Sequence, residues 1–185
     1  MCNKDCINFV ASRVHDGEIF GRRILEVGSR DVNGSVRPAI EALKPREYIG
    51  IDIERGIRVD RLINALDILN VFGENSFDVV ISTEMLEHVE DWRTIINNMK
   101  RVLIPGGIIY ITTRSEGFKY HNYPHDFWRY SIKNTKAIFS DFEQVEVVPD
   151  PSCPGVFVKA RKPLDFHEID LSGIELSSSL KEKRT

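Results

Sequence analysis

The sequence predicts an α/β fold, a doubly wound sheet of seven strands alternating with helices. Three observations carry that reading. Arg22–Arg37, RRILEVGSRDVNGSVR, reads as a buried strand, a glycine-bearing turn and a helix start. Val79–Ile81 is an unbroken apolar run, the pattern of a central parallel strand buried on both faces. Between and beyond these two stretches, short β-rich runs alternate with segments of helical periodicity along most of the chain.

Composition sets the outer limits. A chain of 185 residues, 42% hydrophobic and 29% charged, reads as one soluble globular domain large enough for a true core. The net charge of −3 excludes a global basic field for nucleic acid or anionic membrane, although a local patch leaves RNA open as a partner. Cys2, Cys6 and Cys153 are too few and too scattered for a disulfide framework, and Cys2 and Cys6 have at most the spacing of half a metal site. No apolar run approaches the ~20 residues of a membrane span. Asp5, Arg13 and Asp16 interrupt any secretory signal, so the expected location is cytoplasmic.

The elements follow in order. Lys4–His15 predicts a helix with Ile7, Val10, Ala11 and Val14 on its apolar face, stopped by Asp16-Gly17, packed on the sheet and covering the mouth of the site. Arg23–Val27 is strand one. Gly28 suits a turn with backbone angles that other residues avoid. Ser35 is the candidate N-cap of a helix from Val36 to Leu43, with Pro38 in its first turn, Ile40 and Leu43 inward and Pro45 ending it. Tyr48–Ile53 is strand two. It closes in Asp52, a carboxylate that can accept both ribose hydroxyls of a nucleoside through its two oxygens or cap the next turn.

Val59–Asn64 predicts a short third strand, and Phe77–Ser82 the fourth. Asp91 caps a helix whose stripe is Trp92, Ile95, Ile96, Met99, Val102 and Leu103; Pro105-Gly106-Gly107 closes it. Ile108–Thr112 is strand five. The aromatic, histidine-bearing stretch Arg114–Tyr130 is too polar for core and too aromatic for a plain linker, which marks either a substrate-facing loop or a self-packed surface loop. Ser131–Phe139 is a helix capped by Ser131. Phe142–Val148 and Val156–Ala160 alternate as an antiparallel edge hairpin. Pro163 ends the domain, 1–163. Residues 164–185 read as a polar tail, frayed or forming a short docking helix.

Glu26-Val27-Gly28-Ser29 followed by Asn33-Gly34 resembles the first motif of class I S-adenosylmethionine-dependent methyltransferases, with Arg30 at the usual second glycine and the later glycine displaced to Gly34. The run FDVVISTEMLEHVEDW…RVLIPGGIIYITT is more specific. It resembles the type-11 subgroup of that family, which includes ubiquinone-type O-methyltransferases, and the likeness spans roughly residues 5–163. The resemblance implies a Rossmann-like methyltransferase fold with strand order 3-2-1-4-5-7-6 and strand seven antiparallel. It implies that Glu26, Gly28, Ser29 and Gly34 hold the methionine end of S-adenosylmethionine and Asp52 its ribose. Ile53, Asn64, Ala65, Leu66 and Thr83 complete the cofactor set, with Asn64 or Asp67 offering an acceptor to the adenine amine.

The resemblance further implies that HDFWRY-like segments lie beside the acceptor, so Tyr123, Trp128 and Arg129 are the expected substrate contacts and His88 and His125 the expected catalytic groups. Glu84, Glu87 and His88 stand at i, i+3 and i+4 and share a face if that segment is helical. Two carboxylates and an imidazole suit Mg²⁺, Mn²⁺ or Zn²⁺. The same E-x-x-E-H spacing holds a metal in ubiquinone O-methyltransferases and in plant small-RNA 2′-O-methyltransferases, and by that likeness His125 is the fourth ligand, with His121 the alternative. The other reading makes His88 a general base. The expected acceptor is a hydroxyl of a small molecule or of a glycan or lipid precursor. The alternatives are a nicotinamide-dependent oxidoreductase, against which the compact G-x-G-x-x-G fingerprint is absent, and a catalytically silent cofactor-binding domain, for which Arg30 argues.

Overall fold

The computed structural model describes residues 4–121 and 125–181. Its main sheet has seven strands. β1 (Arg23–Val27), β2 (Glu47–Asp52), β3 (Arg61–Leu62), β4 (Phe77–Thr83) and β5 (Leu103–Arg114) are parallel, and β7 (Glu143–Pro149) and β8 (Gly155–Arg161) complete it in the order β3-β2-β1-β4-β5-β8-β7. β8 runs antiparallel to both neighbours. A two-stranded ribbon pairs β6 (Trp128–Arg129) with β9 (Ser177–Ser178). Because β6 is a short ribbon strand outside the sheet, β7 and β8 are the sixth and seventh strands of the sequence reading, and the doubly wound order is the expected one.

Helices α1 (Lys4–Arg13), α2 (Asp16–Ile19) and α3 (Arg37–Glu41) bury their residues in one core cluster; α4 (Ile68–Phe72), α5 (Trp92–Val102) and α6 (Ile132–Ile138) contribute to another. The two clusters take alternate residues of the same strands. Leu25 and Val27 face one and Ile24 the other; Val80 faces one and Val79 and Ile81 the other. That is the period-two geometry of a strand covered on both faces. Asp91 caps α5 by accepting from the Thr94 N–H at 3.1 Å, and Ser131 caps α6 by accepting from the Asn134 N–H at 3.0 Å.

Several local expectations are corrected. α1 ends at Arg13; of its expected stripe Val10 is buried, Ile7 and Val14 pack partly buried on the same cluster and Ala11 is exposed, while Cys6 and Phe9 are buried as well, the Phe9 ring packing on Phe157 of β8 at 5.1 Å between centroids. The third strand is two residues long. Val36, not Ser35, is the N-cap of α3, while the Ser35 hydroxyl accepts from the Arg37 N–H at 3.0 Å. The stretch after Pro163 is neither frayed nor a docking helix over its described length. It runs extended, with Leu171 buried and Phe166, Ile169, Ile174 and Leu176 packed on the core, and ends in the β9 strand and a single 3₁₀ turn at Ser179–Lys181.

Candidate active site at the carboxyl ends of the strands

The loop after β1 is fastened to β2 before any ligand is considered. The Gly28 and Ser29 N–H groups both donate to the Ile51 carbonyl, at 2.9 and 3.0 Å. Gly28 has φ +78°, and a Cβ there would lie 2.6 Å from Met85 Cγ, so only glycine lets the loop pass beneath Met85. A Cβ on Gly34, at φ +119°, would lie 2.9 Å from Ile7 Cδ1 of α1, so the N-terminal helix packs against the rim of the loop. Asp31 Oδ1 accepts from the Gly34 N–H at 2.8 Å.

Below this loop lies a cavity of about 450 Å³. All ten residues expected to hold the cofactor border it. Glu26, Gly28, Ser29 and Gly34 come from the end of β1 and its loop, and Asp52 and Ile53 from the end of β2. Asn64, Ala65 and Leu66 follow β3, and Thr83 ends β4. Asp52 is already oriented: its Oδ2 accepts from the Arg30 N–H at 3.2 Å and its Oδ1 from the Glu54 N–H at 3.0 Å. The Arg30 guanidinium is ion-paired with Glu54. The Asn64 side chain accepts from the Leu66 N–H at 3.0 Å, and it, not Asp67, borders the cavity. Glu26 is 2% exposed and accepts from the Tyr48 hydroxyl at 2.8 Å. Burial pushes its pKa up to about 7, opposed by that hydrogen bond.

The EMLEH segment departs from expectation. It is not a helix: Glu84 has φ +54°, and only Leu86–His88 makes a 3₁₀ turn. The helical spacing that would align Glu84 with Glu87 and His88 is therefore absent. The Glu84 carboxylate is ion-paired with Arg114 at the end of β5 and accepts from the Cys6 thiol at 3.3 Å. Arg114 also reaches Asp150 at 3.2 Å. Glu87 is fully buried; its Oε2 accepts from the Thr113 hydroxyl at 2.9 Å, and its Oε1 has no hydrogen-bond partner. His88 Nδ1 lies 2.5 Å from the His125 carbonyl oxygen. A carbonyl only accepts, so Nδ1 carries the proton and Nε2 presents a lone pair, 3.9 Å from Glu87 Oε1. Burial holds the His88 imidazole below the ordinary histidine range, opposed by the Glu87 carboxylate.

The metal set predicted from sequence is accordingly not assembled. Glu84 is committed to Arg114, and His125 meets His88 through its carbonyl while its ring packs on Phe127. Among the described residues, the ligand atoms that converge belong to Glu87, His88 and His121, all within 4.8 Å of one another. His121 Nδ1 lies 3.1 Å from Asp126 Oδ2, and its Nε2 has no hydrogen-bond partner.

The expected substrate contacts are also rearranged. Arg129 is 1% exposed and holds both oxygens of Asp126 at 2.5 and 2.7 Å, a structural ion pair rather than an acceptor contact. Trp128 donates its indole N–H to the Glu90 carbonyl at 3.1 Å and packs on the core. Tyr123, like Cys2, lies outside the described residues. Sequence reasoning missed Tyr48, Met85 and Arg114. Tyr48 was detectable: it stands two positions before Gly50, which pairs with Glu26, on the same sheet face as that carboxylate.

The comparisons with known proteins address the same site. Residues 25–111 match the family model described as a methyltransferase domain. That stretch, a little under half of the chain, is similar to the type-11 S-adenosylmethionine-dependent methyltransferase domains. The ubiquinone biosynthesis O-methyltransferase of Vibrio atlanticus is 28% identical over 123 residues, 61% of this chain and 51% of that protein. Its counterpart in Pseudomonas syringae is 31% identical over 121 residues, 58% of this chain and 49% of that one. The chain thus spans about half the length of the curated relatives it matches. Among solved structures, the 1,6-didemethyltoxoflavin-N1-methyltransferase of Burkholderia thailandensis, with 1,6-didemethyltoxoflavin and S-adenosylhomocysteine bound, superposes with a TM-score of 0.67. It is 15% identical, with 85% of this chain and 78% of that one covered. At that identity the methyltransferase domain shares a fold and nothing finer. The nicotinamide reading has no support beside the family match. Among the described residues, no helix is long and apolar enough to cross a membrane.

Proposed function

We propose that the chain transfers the methyl group of S-adenosylmethionine to a hydroxyl of a small molecule or of a glycan or lipid precursor. The observation that carries this reading is the junction of the cofactor cavity with His88, whose free Nε2 lone pair stands beside the unpartnered Glu87 Oε1. The ten cavity residues named above hold the donor: Asp52 takes the ribose, and Glu26, once ionised, faces the cationic amino group. S-adenosylmethionine supplies an electrophilic methyl on a sulfonium. The acceptor oxygen attacks that methyl carbon, the oxygen–carbon bond forms as the carbon–sulfur bond breaks with its electron pair leaving on sulfur, and the hydroxyl proton passes to His88 Nε2, giving a methyl ether and S-adenosylhomocysteine. The fold's contribution is alignment of donor and acceptor together with proton removal. The names of the curated relatives support an oxygen acceptor. The pinning of Arg30 by Glu54 leaves the cavity open, which speaks against a silent domain.

A second reading is favoured by the convergence of Glu87, His88 and His121. One carboxylate and two imidazoles, with Asp126 behind His121, suit Zn²⁺ or Mn²⁺ better than Mg²⁺, which prefers oxygen ligands. An ion held there would lower the pKa of the acceptor hydroxyl in place of a side-chain base.

The deciding experiment is formation of S-adenosylhomocysteine with a panel of hydroxyl acceptors, run on the protein as prepared, after EDTA treatment, and after return of Zn²⁺ or Mn²⁺. Full turnover after EDTA supports His88 as base; loss restored by the ion supports the metal. No turnover with any acceptor, despite tight S-adenosylhomocysteine binding, would return the silent domain.

A further inference from the structure

Among the described residues, none beyond Ile95 borders the cofactor cavity. The segment after Pro163 nevertheless reaches the reacting groups through a chain of backbone contacts. Arg93 of α5 donates to the Leu171 carbonyl at 3.0 Å and to the Ile174 carbonyl at 2.5 Å, which fixes the approach of the segment. Ser177 and Ser178 then pair antiparallel with Arg129 and Trp128. Ser179 follows and is completely buried. Its N–H donates to the Phe127 carbonyl at 2.9 Å, and its hydroxyl donates to the Asp126 carbonyl.

Those two carbonyls belong to the turn that meets the EMLEH segment. The Phe127 N–H donates to the Glu87 carbonyl at 2.8 Å, and the His125 carbonyl accepts from His88 Nδ1. Three consecutive residues, 125 to 127, are thus held from one side by Ser179 and on the other hold Glu87 and His88. The N–H and the hydroxyl of Ser179 both go to this turn, and the residue does not border the cavity. Both groups are satisfied by this turn alone, which ties the position of Ser179 to that of the turn.

We propose that Ser179 is a positioning residue for methyl transfer. By gripping the Asp126 and Phe127 carbonyls, it keeps the His125 carbonyl on His88 Nδ1, so that the Nε2 lone pair stays directed at the reaction site. The inference rests on the assignment of His88 to the reacting groups, and the same ring orientation serves whether Nε2 receives a proton or binds an ion. Residues 164–181 are then part of the working site and not an appendage to it.

The test uses the full chain, freed of metal with EDTA, with Ser179→Ala, which removes the hydroxyl, and Ser179→Pro, which removes the N–H as well. The tautomer of His88 is read by long-range ¹H–¹⁵N correlation of the imidazole at pH 8, its signals assigned with His88→Asn. S-adenosylhomocysteine affinity is read by calorimetry on the same samples. The expected result is an Nδ1-protonated His88 in the parent protein and a growing Nε2-protonated fraction from Ser179→Ala to Ser179→Pro, with affinity for S-adenosylhomocysteine unchanged within twofold. A His88 signal identical to the parent in the folded variants overturns the proposal. If Ser179→Pro does not fold, Ser179→Ala alone decides. A variant that loses S-adenosylhomocysteine affinity in step with the tautomer change also overturns it, since Ser179 would then be supporting the whole domain. A parent protein that fails to bind S-adenosylhomocysteine sinks the methyltransferase reading instead, and the His88 signal still decides the role of Ser179.

Discussion

The Tyr48 hydroxyl donates to Glu26 Oε2 at 2.8 Å across two adjacent parallel strands, and Glu26 is nevertheless held near a pKa of about 7. One hydrogen bond does not offset the desolvation of a carboxylate that is 2% exposed. Because the folded pKa is raised above the ordinary 4.5, the contribution of Glu26 to stability is full below pH 4.5 and is lost as pH rises through 7. The gap between 4.5 and about 7 corresponds to roughly 3 kcal/mol. Glu26→Gln should therefore unfold at higher urea than the parent at pH 8 and show little gain at pH 4. Its affinity for S-adenosylhomocysteine should be lower and flat between pH 6 and 7.5, where that of the parent rises. A parallel pH dependence in parent and variant would mean that Glu26 does not face the ligand's amino group.

Asp52 borders the cavity and is held there by two backbone N–H groups. Asp52→Ala should weaken S-adenosylmethionine binding by ~1.5–3 kcal/mol, the range for a lost hydrogen bond to a charged group. Calorimetry with unchanged affinity would remove the ribose from this position.

His88→Asn keeps a side-chain donor for the His125 carbonyl and removes the Nε2 lone pair. Turnover should fall by about 10²–10⁴, the range of general-base catalysis, while S-adenosylhomocysteine affinity stays within a few-fold. His125→Ala should leave turnover close to the parent value, because only its backbone carbonyl reaches His88. A large loss in His125→Ala would bring its ring back into the mechanism.

Arg114 stands between Glu84 and Asp150 and is 3% exposed. Removing it leaves two buried carboxylates without their cation, which costs about 3–5 kcal/mol in comparable buried pairs. Arg114→Met should shift the urea midpoint far below that of Glu84→Gln, in which the partner keeps Asp150. Equal midpoints would show that the pairing contributes little.

The cavity at the strand ends was legible in the sequence because of how its residues are placed. Glu26, Asp52 and Thr83 stand at or one residue from the carboxyl ends of three neighbouring strands, β1, β2 and β4, and Asn64 just past the fourth, β3. A strand end marked by a glycine, an acid or a turn can be read in one dimension, and parallel packing brings such ends together. The metal set was not legible for the complementary reason. The spacing of Glu84, Glu87 and His88 converges only on a helix. The left-handed backbone at Glu84 breaks that helix, and the ion pair to Arg114 thirty positions on commits its carboxylate to another partner. The polar, aromatic HDFWRY segment looked like a substrate loop because Arg129 and Asp126 are charged. Neutralised against each other, they are core.

The sequence by itself determined the layered α/β architecture, the strand order through its likeness to a methyltransferase family, and ten residues that line the cavity at the strand ends. These follow from local periodicity and from residues at strand ends, where side-chain direction is set by the backbone of the same element. Tertiary structure alone decided which imidazole nitrogen of His88 is free, that His121 and not His125 brings its ring to Glu87, and that residues 164–181 belong to the site. Each of these depends on a hydrogen bond between segments distant in the chain. A partner's identity sets a tautomer, a ring orientation or the burial of a serine, and no periodicity within the segment records it.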